Sequence, residues 1–226
     1  MFETATVKLN RDIVNNGLVN LTWGNGSIID RETLTVYIKP SGINVSDLLS
    51  SEISKVKLNG NFIEGKKPSV DTDIHLELYR GFSNVQSIVH THSKYCTIFA
   101  QLEQSIPALG TTHADYFWGD IPIIKQLPSN LIKNNYESNT GKSVVQHFKN
   151  NDIPPLNIPA ALLPQHGILT WGASAKEALE NAIVAELCAE MAYKQLLMSP
   201  NKRSMNKDLL NKHFLRKHGS TKYYGQ

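Results

Sequence analysis

Disulfide chemistry is the first thing this chain lacks. Among 226 residues only Cys96 and Cys188 are cysteine, far apart and in no CxxC pair. That excludes a disulfide framework and a thiolate metal knuckle, and both read as reduced thiols. Long apolar runs are missing too: nothing reaches the roughly 18 residues of a membrane span. The opening stretch MFETATVKLNRDIVNNG has no apolar centre of the kind a secretory signal carries. The expectation is therefore a soluble, cytoplasmic protein with no membrane partner. No internal repeat, low-complexity tract or linker composition divides the chain, so residues 1–226 read as a single domain.

Acidic residues are almost absent from one end. Residues 202–226 hold seven Lys or Arg (Lys202, Arg203, Lys207, Lys212, Arg216, Lys217, Lys222) against Asp208 alone, within a total charge of only +3. A basic arm of this kind suits nucleic acid, a phosphorylated small molecule, or another subunit. The aromatic spacing fits no base-stacking platform, which argues against nucleic acid.

Apolar residues, at 41%, suffice for a substantial core without a metal or disulfide to fold it. Residues 18–23 alternate apolar and polar and meet Gly24-Asn25-Gly26, a pattern that predicts a strand running into a turn. Residues 33–38 repeat it and end in Lys39-Pro40-Ser41-Gly42. A helix is predicted over 74–82, capped by Asp71 or Thr72, then a strand over 85–90 and a helix opened by Ser93. Residues 161–171 read as strand, break and strand. Ser174 and Glu177 form a capping box for a helix over 175–198, with Leu179, Ile183, Leu187 and Met191 as its buried stripe. The stretch 126–160 carries no clear pattern. Strands alternating irregularly with helices predict a sheet covered by helices, α/β or α+β.

Chemistry gathers at Val89-His90-Thr91-His92-Ser93. In a strand, side chains at i and i+2 share a face, so His90 and His92 point together and can hold one cation. A catalytic zinc wants a third protein ligand and an open position. His166, before Gly167 and after an apolar strand, is the natural third, although His75, His113, His147, His213 and His218 are also available. Asp71, just before a helix, can add an oxygen ligand or orient a histidine. The turns "WGNGS" (23–27) and "KPSG" (39–42), with Ser69 near a helix start, offer backbone N–H groups and side-chain donors of the kind that cradle phosphate.

The motifs "LTWGNGS", "IKPSG", "KKPSVDTDIH", "IVHTHS", "GTTHADYF", "QHGILTWG" and "KHFLRKHGSTKYYGQ", in that order, closely resemble the L-ribulose-5-phosphate 4-epimerases of the class II aldolase/epimerase superfamily. The resemblance runs from about residue 17 to the C-terminus. It implies a three-layer α/β/α sandwich with a largely antiparallel central sheet, assembled as a homotetramer. It implies a zinc ion held by His90, His92 and His166, with Asp71 as the site's carboxylate. Gly24, Asn25, Lys39, Ser41, Gly42, Ser69 and Val70 fall on its substrate-binding positions. Asp115 and Tyr224 match its paired acid/base residues, Tyr224 coming from a neighbouring subunit along the basic arm 202–226. Two departures stand out: Val70 replaces a second serine of the phosphate site, and Gly26 replaces a small β-branched residue, which is expected to loosen its turn.

The implied reaction interconverts L-ribulose 5-phosphate and D-xylulose 5-phosphate. C4 is not adjacent to the C2 carbonyl, so its configuration is inverted by cleaving C3–C4, turning the aldehyde and re-forming the bond. Such a cleavage wants a Lewis acid and two proton carriers. Zinc is the implied ion; manganese and cobalt suit the same ligands. Arabinose and ascorbate breakdown both use this reaction. The rivals are a fuculose-phosphate-like aldolase, which typically carries Glu at the Asp71 position, and a non-catalytic scaffold of the same superfamily, which would be expected to lose zinc ligands.

Overall fold

The chain opens with a helix that its apolar pattern does not announce. In the computed structural model, which describes residues 1–200, 204–220 and 222–224, α1 (Phe2–Asn15) buries Thr6, Val7, Leu9, Asn10 and Ile13 along one side. Two members of that side are polar, which hides the helical period. Asn10 is nevertheless structural, since its side chain bonds both the N–H and the C=O of Gly26 and ties the helix to the sheet. Burying Leu9 and Ile13 contributes about 1.5–3 kcal/mol each.

Seven strands follow: β1 (Asn25–Asp30), β2 (Thr35–Ile38), β3 (Ser54–Lys57), β4 (Phe62–Glu64), β5 (Ser87–Thr91), β6 (Ala160–Leu163) and β7 (Gly167–Gly172). They form one sheet in the order β4-β3-β2-β1-β5-β7-β6, every neighbouring pair antiparallel. The helices are α2 (Thr72–Gly81), α3 (Lys94–Gln101), α4 (Thr111–Ala114), α5 (Ser129–Lys133), α6 (Tyr136–Asn150), α7 (Ala175–Met198) and α8 (Lys207–His218). The expected α/β fold with a largely antiparallel sheet is thus present. Among the described residues no helix is long and apolar enough to cross a membrane.

Register decides what each face of the sheet carries. Ser27 pairs with Ile38 and Ile88, Ile29 with Val36, and Ile88 with Trp171, so these residues share one face. There Ile29, Val36, Ile38, Ile88 and Trp171 join Ile74 and Leu78 from α2, Phe82 just after it and Phe148 from α6 in the main core. On the opposite face Ile28 and Val89 pack with Leu9 and Ile13 of α1 and Ala178 and Ala182 of α7. The result is helix, sheet and helix.

Several expectations change at this level. Residues 18–23 are not a strand: Leu18 is buried with α1, Leu21 takes a left-handed φ of 55°, and the strand begins only at Asn25. Gly26 lies inside β1, where a Cβ would come within 2.9 Å of two Leu9 side-chain atoms. It brings helix and sheet together rather than loosening a turn. Asp71 and Ser93 sit at the N-cap positions of α2 and α3, but neither side chain caps. Ser174 accepts from the Glu177 N–H as expected, while Glu177 reaches back to the Ala173 N–H, one residue beyond a capping box. The residues that α7 buries most fully are Ala178, Ala182, Ala185, Ala189 and Ala192, with Cys188; of the expected stripe, Leu179 and Ile183 pack partly buried against the core, whereas Leu187 and Met191 are 45% and 38% exposed. Small side chains let the helix lie close to β7, where a Cβ on Gly172 would meet the Ala178 backbone at 2.7 Å. The patternless stretch 126–160 holds α5 and α6.

The basic arm is in part an ordered helix on its own chain. Phe214 of α8 is buried and stacks on Trp118, their ring centroids 5.0 Å apart. Lys202, Arg203, Gly225 and Gln226 lie outside the described residues.

Candidate metal centre

Pairing of β5 with β1 sets His90 opposite Asn25, and pairing with β7 sets it opposite Leu169. His90 therefore projects on the α2 side, and His92, two residues on, follows it. The β6–β7 connection supplies His166 from above. Its chain reverses at Gln165, with a left-handed φ of 55°, and passes Gly167, where a Cβ would lie 2.5 Å from the Thr91 carbonyl and 3.0 Å from the His92 ring. Only glycine lets these strands approach so closely. One potential ligand atom from each of His90, His92 and His166 then falls within 4.8 Å of the others. The ring centroids form a near-equilateral triangle of 5.0, 4.8 and 4.8 Å.

The donor set fits a divalent cation. His90 Nδ1 lies 3.0 Å from the Ile168 carbonyl; a carbonyl only accepts, so Nδ1 carries the proton and the Nε2 lone pair faces inward. That Nε2 is 3.1 Å from His92 Nε2. A shared proton or a shared cation satisfies such a contact, but one proton serves only two rings and a third stands at equal spacing. Burial first, and then the charge of its two neighbours, push the His166 pKa down to about 4. Burial, then His90, also lowers that of His92. Neutral imidazole is the ligating form.

Asp71 stands beside the triad rather than within it. Its Oδ2 accepts from Asn25 Nδ2 at 2.7 Å, and that same amide reaches Ser69 Oγ at 3.1 Å. Burial raises the carboxyl's pKa, but His90, His75, the Asn25 amide and His166 outweigh it and hold Asp71 below the usual range. Asn25 Oδ1 is buried without a protein partner, an acceptor aimed at nothing the described chain supplies. Lys39 is buried, and Thr22 and Pro40 carbonyls take two of its three N–H groups. Burial lowers its pKa, with Asp71 opposing. Gly24 takes a φ of +76°, and a Cβ there would meet the His90 carbonyl at 2.7 Å. Ser41 and Gly42 form an exposed turn, Gly42 at φ +70°, anchored where Ser41 N–H meets the Lys67 carbonyl. Val70 is 66% exposed and offers no hydrogen bond from its side chain.

Asp115 and Tyr224 belong to a second cluster, between α4 and α8. Asp115 accepts from Arg216 at 3.1 Å on both carboxylate oxygens and lies 3.0 Å from His213 Nδ1. The Arg216 guanidinium in turn lies 4.3 Å from the centre of the Tyr224 ring. Both residues are thus gathered around one arginine of their own chain.

One contact at the metal centre has no counterpart in the sequence reading. Tyr136, the first residue of α6, sets its hydroxyl 3.2 Å from His166 Nδ1. The stretch that holds it, dense in Asn and Pro, gives no periodic signal; Asn135, suited to the left-handed turn it adopts, is the one local clue.

Residues 4–193 match the family model described as Class II Aldolase and Adducin N-terminal domain. Among solved structures, an L-fuculose 1-phosphate aldolase is similar at 24% identity and a TM-score of 0.79, covering 94% of this chain and 93% of that one. A putative aldolase/epimerase/decarboxylase from Klebsiella pneumoniae is similar at 22% identity and 0.75, covering 93% and 96%. An L-fuculose-1-phosphate aldolase from Thermus thermophilus is similar at 20% identity and 0.67, covering 90% and 98%. At these identities the likeness speaks for the fold.

Proposed function

This chain belongs to the class II aldolase and adducin N-terminal domain family, and from that premise we propose that it is a metal-dependent 4-epimerase interconverting L-ribulose 5-phosphate and D-xylulose 5-phosphate. The observation that carries the reading is the convergence of His90, His92 and His166 beside Asp71. A divalent cation, zinc first among those suited to three imidazoles, would be held there and supplies Lewis acidity to a carbonyl during C3–C4 cleavage.

The chain's own residues do the rest. Asn25 Oδ1, buried and unpartnered, accepts a substrate hydroxyl, while its amide keeps Asp71 aimed at the histidines. Lys39, Ser69 and the Ser41-Gly42 turn hold the phosphate, so the aldehyde fragment rotates without leaving; Gly24 keeps the approach clear, and Val70 contributes no hydroxyl. Cleavage takes the C4 hydroxyl proton and leaves the electron pair on the C3 side. Re-addition to the other face returns a proton to the new C4 oxygen. Asp115 and Tyr224 are the proposed carriers, one on each face, Tyr224 coming from an adjacent subunit of a homotetramer. For that task Asp115 must exchange its contact with Arg216.

A second reading, aldolase chemistry on a related sugar phosphate, is favoured by that same contact. A carboxylate already paired with a guanidinium is poorly placed as a base on one face of the aldehyde, and an aldolase does not need carriers on both faces of it, although it must also protonate the enediolate carbon to release its ketone. Incubation with L-ribulose 5-phosphate and zinc separates the readings. Formation of D-xylulose 5-phosphate is the expected result. Release of dihydroxyacetone and glycolaldehyde phosphate alone supports the aldolase, and no turnover contradicts the epimerase.

A further inference from the structure

The three histidines differ in what holds their outer nitrogens. His90 Nδ1 faces the Ile168 carbonyl, an acceptor that admits one tautomer only. His166 Nδ1 instead faces the Tyr136 hydroxyl at 3.2 Å, with the two rings 6.3 Å apart and inclined by 32°. A hydroxyl can donate or accept, so the His166 tautomer depends on which role Tyr136 takes. If Tyr136 donates to Nδ1, the His166 proton sits on Nε2 and that nitrogen cannot ligate. If Nδ1–H donates to Tyr136, the Nε2 lone pair is presented to the centre.

Backbone geometry holds Tyr136 in this place. Asn135 turns left-handed to start α6. Gly141, where a Cβ would meet the Ile74 carbonyl at 2.8 Å, presses α6 onto α2, the helix that Asp71 precedes. The tyrosine itself is half-buried.

We propose that Tyr136 is a positioning residue for the metal centre: by accepting from His166 Nδ1–H it fixes the ring's orientation and the tautomer that ligates. This rests on the metal-centre reading above. A Tyr136→Phe chain keeps the ring and loses only the hydroxyl. Its affinity for zinc or cobalt, measured against a chromophoric chelator, is expected to fall by roughly 10–100-fold. The visible spectrum of the cobalt-loaded protein should change in parallel. In the metal-free protein, nitrogen-15 NMR of the His166 ring should show a larger fraction protonated on Nε2 in the variant, a shift that a merely structural role would not produce. Zinc affinity within twofold of wild type, with an unchanged cobalt spectrum and an unchanged tautomer ratio, overturns the proposal. His166→Ala is measured beside it: should that chain also bind metal as wild type does, the centre itself is wrong and the role of Tyr136 falls with it. Retained affinity in Tyr136→Phe alone overturns only the positioning role.

Discussion

Two clusters of polar side chains in this molecule solve opposite problems. The triad of His90, His92 and His166 brings like groups together, which in water would repel once protonated. The sheet prevents that by burying them, and burial holds the pKa values of His92 and His166 down, which favours the uncharged, ligating form of those two rings. The cluster of Asp115, His213, Arg216 and Tyr224 instead pairs opposites, drawn together by the charge of α8 itself. The first is built by strand register and two glycines, Gly24 and Gly167, and gathers donor atoms that suit a cation. The second already holds its partner. The two clusters thus differ in whether their side chains satisfy one another within the chain.

That contrast breaks most visibly when one member of each cluster is removed. His92→Ala is expected to weaken zinc binding by roughly 100-fold or more, beyond what loss of an outer hydrogen bond costs. Chelator competition reads the effect.

Acid tests the contrast next. His166 titrates at about 4 and His75 at about 3 in the folded chain, against 6.5 for an ordinary histidine. For His75 burial is again the first cause; its Nδ1 is 2.7 Å from Ser27 Oγ. Below pH 6.5 the unfolded chain binds protons that the fold refuses, so stability falls with falling pH until each folded value is passed. His166 alone accounts for a loss on the order of 3 kcal/mol between pH 6.5 and about 4. Urea unfolding of the metal-free protein at steps across this window measures it. Zinc, which binds the neutral rings, should move the loss to lower pH.

The smallest effect belongs to the Asp115–Arg216 pair. Arg216→Gln removes an ion pair whose side chains are 22% and 16% exposed, and is expected to cost about 1 kcal/mol or less, diminishing in high salt. Zinc affinity should stay within about twofold, because no change reaches the imidazoles.

How much of this was legible in sequence follows the same physical line. The spacing of His90 and His92 is legible because a strand repeats every two residues, and β7 is legible from its apolar run. His166 as third ligand and Asp71 as neighbour follow from motif resemblance, since nothing local in the chain says that strands remote in sequence will lie side by side. α1 is hidden because Asn10 and Thr6 occupy its buried side for hydrogen-bonding reasons. The buried face of α7 is misjudged because its alanines, weak signals of hydrophobicity, are what close approach to the sheet requires. Tyr136 is invisible because its contact with His166 spans a helix start set by one left-handed asparagine.

The central claim is that three imidazoles share one cation, and X-ray absorption at the metal edge tests it most directly. A zinc-loaded sample should show one ion per chain with a first shell containing three nitrogen scatterers at about 2.0–2.1 Å and the multiple-scattering signature of imidazole. A shell made of oxygen alone, or zinc that washes out and leaves His90, His92 and His166 unaffected, would contradict the account.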